Sequence, residues 1–236
     1  MNNSKPELST QTSWIHTQGP NYLNMIRHRI ENVDLVWVSQ FLDILQGESD
    51  KSVNVKDIGC QAFQFYKEIK KRGLPFDYYG YELDQNYVDL GLEYFPELSK
   101  KVLVGDFAKL DEVKHTDVTV CSATIEHIDS WIGFLQRMLN TTSNVVVIRS
   151  FFGENTKRDI CNHNGATDNY PIWQFSFSEF LAVIRKCGFF PEIVRDRYTD
   201  SLPKYLDVLP DGIVRTQYVV VARRIGVKAQ VSSSQI

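Results

Sequence analysis

From residue 53 onward, short apolar runs rich in β-branched and aromatic residues alternate with amphipathic segments of helical period. The runs predicted to be strands are residues 53–58, 78–83, 101–104, 118–122, 144–148, 190–194 and 217–222, and the predicted helices are 62–72, 86–94, 131–139 and 178–186. Strands that alternate with helices form βαβ units with a mostly parallel sheet. The sequence therefore predicts an α/β fold with helices on both faces of that sheet.

The regular alternation occupies residues 51–224, which we expect to form one domain. Residues 1–50 precede it as a polar tail and a helical cap, with apolar residues at helical spacing from 22 to 45. Residues 151–173 are rich in Gly, Asn, Asp and Thr, which predicts a long loop inserted for substrate binding. Residues 225–236 are expected to form a disordered tail.

The bulk composition is that of an ordinary globular protein. The chain has 236 residues, 43% of them hydrophobic, and a formal net charge of −3. This balance lacks the basic excess that broad nucleic-acid binding needs. No apolar run reaches the roughly 18 residues of a membrane span, and the polar N-terminus resembles no signal peptide. Four cysteines without a Cys-x-x-Cys pair are typical of reduced thiols, so we expect a cytoplasmic protein. We expect a monomer or a homodimer, between which the sequence does not decide.

The turn after the first predicted strand, together with the acidic ends of the first two strands, is the most informative feature for function. The first strand ends in Asp57 and turns at Gly59 into a helix, and the second ends in Glu82. Glu82 follows Gly59 at about the 20-residue spacing expected between a nucleotide-binding turn and the carboxylate that binds its ribose. This pairing predicts an adenosine-containing cofactor at the carboxyl edge of the sheet.

The residues of the turn favour one adenosine cofactor over another. A dinucleotide needs glycines where the backbone approaches its pyrophosphate, but those positions hold Gln61 and Phe63. S-adenosylmethionine has no phosphate, and its sulfonium and α-amino groups suit a neighbouring carboxylate such as Asp57. We therefore expect S-adenosylmethionine as the cofactor and S-adenosylhomocysteine as the product.

Four segments in order resemble the motifs of class I S-adenosylmethionine-dependent methyltransferases. They are Asp57-Ile58-Gly59-Cys60-Gln61-Ala62, Tyr79-Gly80-Tyr81-Glu82, Val104-Gly105-Asp106-Phe107 and the segment from Val118 to Ile128. The resemblance implies a Rossmann-like, seven-stranded sheet whose last strand runs antiparallel beside the fifth, with the N-terminal helical region over the cofactor mouth. It also implies that Glu82 binds the ribose hydroxyls, that Asp106 accepts from the adenine amino group and that Phe107 packs on the ring. Cys60, Leu83 and Ser122, within or beside these motifs, complete the expected cofactor site.

Glu126 and His127 follow the fourth strand, where parallel-sheet enzymes place their chemistry. A histidine suits proton removal from a hydroxyl or an amine, so we expect this pair to be catalytic, with His127 as a base. The alternatives for His127 are a helix cap and a contact to the methionine part of the cofactor. Some related methyltransferases bind a divalent metal through a Glu three residues before the Glu-His pair. That position is Ala123, so we expect no catalytic metal.

The loop that follows the fifth strand combines hydrogen-bonding groups with aromatic rings, among them His163, Tyr170 and Trp173. Such a set suits a small polar acceptor with apolar faces, such as a sugar or another natural product. The predicted function is methyl transfer from S-adenosylmethionine to an oxygen or nitrogen of a small molecule. The alternatives are a nicotinamide-dependent reductase on the same fold and a non-catalytic binding module.

Overall fold

The computed structural model describes residues 20–47, 52–161, 170–204 and 213–226. His163 and most of both predicted tails, residues 1–19 and 227–236, lie outside the described residues. The helices are α1 Pro20–Asn32, α2 Val36–Gln46, α3 Gln64–Arg72, α4 Gln85–Tyr94, α5 Trp131–Asn140 and α6 Phe177–Lys186. The strands are β1 Val53–Ile58, β2 Phe76–Glu82, β3 Val102–Val104, β4 Thr116–Ser122, β5 Thr142–Gly153, β6 Lys157–Cys161, β7 Tyr170–Ser176, β8 Phe189–Arg195 and β9 Gln217–Arg224.

The central sheet has the predicted topology. Its strands run in the order β3-β2-β1-β4-β5-β9-β8, and the pairs from β3 to β5 are parallel. β9 pairs antiparallel with β5, and β8 pairs antiparallel with β9. The prediction of a seven-stranded sheet with its last strand antiparallel beside the fifth is confirmed for this central part.

Two further strands replace the predicted loop at 151–173. β5 continues to Gly153, where it pairs parallel with β7, and β6 pairs antiparallel with β7. The prediction of an irregular insertion was wrong for the described residues of this segment. The buried residues Ile172 and Phe175 supply the apolar face of β7, whereas the polar residues 162–169, which dominated the composition of the segment, lie outside the described part.

The predicted continuous helix from 22 to 45 is two helices in the structure. Residues 33–35 interrupt it, and Leu35 is extended at φ −79° and ψ 119°. This connection is held by α3, where Lys67 Nζ donates to the Val33 carbonyl at 3.0 Å and Lys71 Nζ lies 2.5 Å from the Asp34 carboxylate. Contacts between distant segments thus override the helical periodicity.

The core lies on both sides of the sheet. One apolar cluster joins the first four helices to the sheet, and the second joins α5 and α6 to the opposite face. The parallel strands β1, β2, β4 and β5 have their carboxyl ends at one edge, because Ile58 aligns with Tyr81 and Cys121, and Ser122 aligns with Arg149. The described residues include no helix with the length and hydropathy of a membrane span.

Candidate active site

A cavity of about 420 Å³ opens over the carboxyl ends of the parallel strands. All eight residues predicted to bind the cofactor line it, namely Asp57, Gly59, Cys60, Glu82, Leu83, Asp106, Phe107 and Ser122. Tyr22 and Arg29 of α1 and Trp37 of α2 also line it. Both N-terminal helices thus contribute to the wall of this cavity.

The turn after β1 requires glycine at position 59. Gly59 has a φ of +73°, and a Cβ atom there would lie 2.0 Å from Thr124 Oγ1. Its N–H and that of Cys60 donate to the Tyr81 carbonyl at 2.8 and 3.2 Å, which fixes the turn to the end of β2. The backbone of this turn can therefore approach a ligand closely.

Gln61 and Phe63, which stand where glycines were expected, both adopt left-handed backbone conformations, with φ of 49° and 64°. The Phe63 ring is fully buried and packs against Gly91 of α4, where a Cβ atom would meet the ring at 2.4 Å. Gln61 lines the cavity, whereas Phe63 is not among the lining residues. The bulky ring thus points into the core and leaves the ligand space open.

Glu82 is a buried acceptor with capacity for one more donor. Its side chain is 6% exposed. Oε2 accepts from the Gln61 N–H at 2.8 Å, and Oε1 accepts from the N–H groups of Leu83 at 2.8 Å and Asp84 at 3.1 Å. Burial raises the pKa of Glu82 above its ordinary value, against the lowering effect of these N–H groups. A carboxylate offers about four acceptor positions, so a hydroxyl donor can still be accommodated.

Asp57 and Cys60 line the cavity, and burial raises the pKa of both side chains. Burial raises the pKa of Asp57 to about 7, and the negative charge of Glu82 adds to this, although Tyr78 donates its hydroxyl to Asp57 at 3.0 Å. A cation bound beside Asp57 would favour its ionised form. Burial also raises the pKa of the Cys60 thiol well above its ordinary value. Cys60 is therefore a neutral wall residue and not a nucleophile.

Asp106 and Phe107 form a turn after β3. Asp106 Oδ1 accepts from the Ala108 N–H at 2.9 Å, which holds the turn. The Phe107 ring packs edge-on against Tyr81 and Phe134, with centroids 5.4 and 5.3 Å apart. Both residues line the cavity at the end beside Glu82.

His127 lies in a short 3-10 turn after β4 and lines the cavity. Its Nδ1 is 3.1 Å from the carbonyl oxygen of Pro171. Because a carbonyl only accepts, Nδ1 carries the hydrogen and Nε2 is the basic nitrogen of the neutral ring. Burial, helped by the charge of Arg215, lowers the pKa of His127 to about 4. The ring is thus neutral at physiological pH.

Glu126 occupies a different position from the catalytic one that the sequence suggested. Its side chain is fully buried and does not line the cavity. Oε2 accepts from Ser150 Oγ at 2.8 Å, and burial raises the pKa of the carboxyl to about 7. His127 thus lines the cavity, whereas Glu126 is buried beside Ser150. The catalytic role expected of Glu126 stays a prediction.

The predicted substrate residues are not gathered at this cavity. Trp173 does not line it. Instead, the Trp173 indole N–H donates to the Ile128 carbonyl at 3.0 Å, and its ring stacks on Phe175. Tyr170 begins β7, but its side chain is outside the described residues, as is the whole of His163. Substrate binding by Trp173, Tyr170 and His163 therefore stays a prediction.

Several lining residues escaped the sequence reading, among them Arg29, Arg149, Tyr198 and Gln217. Arg149 directly follows the β-branched run of β5, so a charged residue at the carboxyl end of a buried strand was the available signal. The other three follow no motif. Within the described ranges, no three His, Cys, Asp or Glu side chains converge as a metal site.

The sequence matches no protein-family model and no curated protein sequence. Solved structures do resemble it. An S-adenosylmethionine-dependent methyltransferase from Clostridium acetobutylicum ATCC 824 superposes with a TM-score of 0.58 at 9% identity, covering 86% of this chain and 98% of that one. Magnesium protoporphyrin IX methyltransferase from Synechocystis PCC 6803, with bound S-adenosylmethionine, gives 0.56 at 14% identity, covering 92% and 100%.

A third similar structure is the 1,6-didemethyltoxoflavin-N1-methyltransferase from Burkholderia thailandensis, with 1,6-didemethyltoxoflavin and S-adenosylhomocysteine bound. Its TM-score is 0.51 at 14% identity, and the match covers 92% of this chain and 93% of that one. At such identities the likeness concerns the fold. Together with the strand order and the antiparallel β9, it shows that this chain has the Rossmann-like fold of the class I S-adenosylmethionine-dependent methyltransferases.

Proposed function

We propose that this protein is a methyltransferase that moves the methyl group of S-adenosylmethionine to an oxygen or nitrogen of a small molecule. The observation that carries the proposal is the convergence of four separate sequence motifs on one cavity, with two buried carboxylates, Asp57 and Glu82, beside the Gly59 turn. Two of the three similar structures named above, those from Synechocystis and Burkholderia, were determined with S-adenosylmethionine or S-adenosylhomocysteine bound.

The donor groups of the cavity fit this cofactor. Glu82 would accept from a ribose hydroxyl, and Asp106 and Phe107 would bind the adenine. Arg29 has no ion-pair partner among the described residues and would hold the carboxylate of the methionine part. Asp57 would face the positively charged groups. A diphosphate would instead meet two carboxylates, which disfavours the nicotinamide-dependent alternative.

The protein's own contribution to the reaction is alignment and proton removal. When bound, S-adenosylmethionine supplies a methyl group activated by a positively charged sulfur. Alignment of the acceptor within the cavity contributes up to about 7–11 kcal/mol to such a step. His127 Nε2 would accept the acceptor's proton. Although its pKa is about 4, a hydroxyl becomes far more acidic as its oxygen bonds to carbon, so a weak base suffices.

Within this class we propose a sugar or another hydroxylated natural product as the acceptor, in a monomeric or homodimeric cytoplasmic enzyme of residues 51–224 capped by residues 1–50. The position of His127 at the cavity supports a hydroxyl or amine acceptor. A mass-spectrometric screen of sugar and phenolic acceptors with labelled S-adenosylmethionine tests this part. If the enzyme methylates neither sugars nor phenols, the proposed acceptor class is wrong.

Calorimetric titration with S-adenosylhomocysteine tests the cofactor. We expect binding to the intact protein and at least a roughly tenfold weaker affinity in Glu82→Gln, because an amide replaces one acceptor oxygen by a donor facing backbone N–H groups. Asp89→Asn, an exposed change on α4, is the matched control and should bind normally. Binding of NADH without S-adenosylhomocysteine would support the reductase, and cofactor binding without any methyl transfer would support a non-catalytic module.

A further inference from the structure

The cavity extends beyond the cofactor residues to the carboxyl end of β5, where Arg149, Gln217 and Tyr198 line it. Two strands, β1 and β4, separate β2 from β5 in the sheet. At about 4.8 Å per strand, the end of β5 lies roughly 14 Å from the end of β2 that carries Glu82. Arg149 is thus remote from the ribose carboxylate, on the side of the cavity that holds His127.

The guanidinium of Arg149 is held rigidly from one side. Nε donates to Asp196 Oδ1 at 2.8 Å and Nη2 to Asp196 Oδ2 at 3.2 Å, while Nη2 also donates to Gln217 Oε1. Asp196 is fully buried and accepts further from the Thr199 N–H at 2.9 Å and the Thr199 hydroxyl at 2.6 Å. The Tyr198 ring lies 5.6 Å from the guanidinium carbon. Such bracing fixes the plane of the guanidinium.

The Nη1 side of the guanidinium is not engaged by the contacts that hold Arg149. A guanidinium has five N–H donors, and the contacts to Asp196 and Gln217 engage those of Nε and Nη2. The two donors of Nη1 have no acceptor among the described residues, although the Arg149 residue is only 4% exposed. Because Arg149 lines the cavity, an oxygen of a bound molecule could accept from these two donors. Planar donor pairs of arginine match carboxylates in particular.

The charge around Arg149 also favours an anion. Arg149 is balanced by Asp196, and Arg215 adds a second cation close enough to lower the pKa of both Glu126 and His127. Glu126 is the other buried acid here, and its raised pKa leaves it partly protonated near neutral pH. Among the described residues, the surroundings of Arg149 therefore carry an excess of positive charge.

We propose that the methyl acceptor is a carboxylic acid, whose carboxylate is bound by Nη1 of Arg149 while its nucleophilic oxygen or nitrogen lies at His127. Asp196 and Gln217 are positioning residues that orient Arg149. The inference rests on the proposed methyl transfer, and it specifies the acceptor. The carboxylate could also come from the methionine part of the cofactor, so the test includes an arm that separates the two sources.

The experiment compares hydroxy- and amino-substituted carboxylic acids with their own primary amides, both as substrates with labelled S-adenosylmethionine and as ligands in calorimetry without turnover. The variants are Arg149→Lys and the neutral double variant Arg149→Gln/Asp196→Asn, which leaves no buried charge unpaired. Arg195→Gln is the control, since Arg195 is exposed and pairs with Asp200.

We expect the intact protein to prefer acids to amides, and the two Arg149 variants to raise the KM for acids by about 10- to 100-fold with little change for amides. The affinity for S-adenosylhomocysteine should stay unchanged in all variants. Equal use of acids and amides by the intact protein would overturn the inference while leaving methyl transfer established.

A loss of S-adenosylhomocysteine affinity in the Arg149 variants would also overturn it and assign Arg149 to the cofactor's own carboxylate. The calorimetric arm separates the two proposals. If the intact protein binds acids more tightly than amides, and does so through Arg149, but transfers no methyl group, the proposed function fails and the carboxylate site stands. If it binds acids no more tightly than amides, the carboxylate site fails.

Discussion

Gly59 has two independent reasons to be glycine, a left-handed φ of +73° and a Cβ position 2.0 Å from Thr124 Oγ1. Gly59→Ala should lower the free energy of unfolding by more than the roughly 1–2 kcal/mol that left-handed backbone alone costs a non-glycine residue, and it should abolish binding of S-adenosylhomocysteine. Chemical denaturation and calorimetry measure the two effects.

Gly188→Ala provides the control for this substitution, because Gly188 has a φ of +81° with nothing within 4 Å of its Cβ position. It should lower stability by only the backbone cost and leave cofactor binding intact. Equal destabilisation of the two variants would contradict the close approach of Thr124 to the turn.

His127 is the residue whose chemistry depends most on its surroundings. With Nδ1 fixed toward the Pro171 carbonyl, His127→Asn should lower kcat by about 10²–10⁴-fold, the usual contribution of a general base. The affinity for S-adenosylhomocysteine should be unchanged. His115→Asn serves as the control, because His115 contacts Ser143 and does not line the cavity. An unaltered kcat in His127→Asn would contradict the role of His127 as general base.

At the scale of elements, α4 and the β1–α3 turn are packed through Phe63 and Gly91. A glycine inside a helix normally destabilises it by about 0.5–1 kcal/mol relative to alanine. Gly91→Ala should nevertheless destabilise this protein, because the new Cβ would lie 2.4 Å from the buried Phe63 ring, which cannot move without opening the left-handed turn. Thermal unfolding measures the effect.

α5 offers the matched comparison. At Gly133 the nearest atom to a new Cβ is Ser130 Oγ at 3.4 Å, an ordinary contact. Gly133→Ala should therefore stabilise the protein by about 0.5–1 kcal/mol. The same substitution in two helices is expected to change stability in opposite directions, and stabilisation by both would show that Phe63 does not fill the space beside α4.

For the molecule as a whole, buried acids set the dependence of stability on pH. Asp57 and Glu126 have pKa values of about 7 in the folded state, above their unfolded values of about 4. The folded protein thus retains protons that the unfolded chain has released. Their contribution to stability is complete below about pH 4 and is lost as the pH rises through about 7. The pKa of His127 is lowered to about 4 in the folded state. The unfolded chain therefore binds one more proton at this residue, and this contribution to stability rises with pH.

We therefore expect the free energy of unfolding to fall as the pH rises from about 4.5 to 7. Asp57→Asn keeps an acceptor for Tyr78 but cannot ionise. Relative to the intact protein, its stability should rise with pH across this window, by up to about 1.4 kcal/mol per unit. Urea denaturation at several pH values measures the difference. Asp111→Asn, a surface change between β3 and β4, should track the intact protein, and parallel curves for Asp57→Asn would refute the shift.

The sequence by itself determined the positions of several strands and the eight residues, predicted to bind the cofactor, that line the cavity. β1 was bounded correctly, and β2, β4 and β9 to within two residues, because each is a short apolar run with its own periodicity. The eight predicted cofactor residues line one cavity for a related reason. They lie at strand ends, and a parallel sheet brings the ends of its strands to the same edge.

Only the tertiary structure decided the features that join distant segments. The β6–β7 hairpin, the break at residues 33–35 and the burial of Glu126 depend on neighbours that local periodicity does not reveal. The hydrogen bonds of Arg149 are the clearest case, since its partners Asp196 and Gln217 follow it by 47 and 68 residues. The sequence around a charged residue in a strand does not identify its ion-pair partner, because that partner is brought near only by the tertiary packing of distant segments.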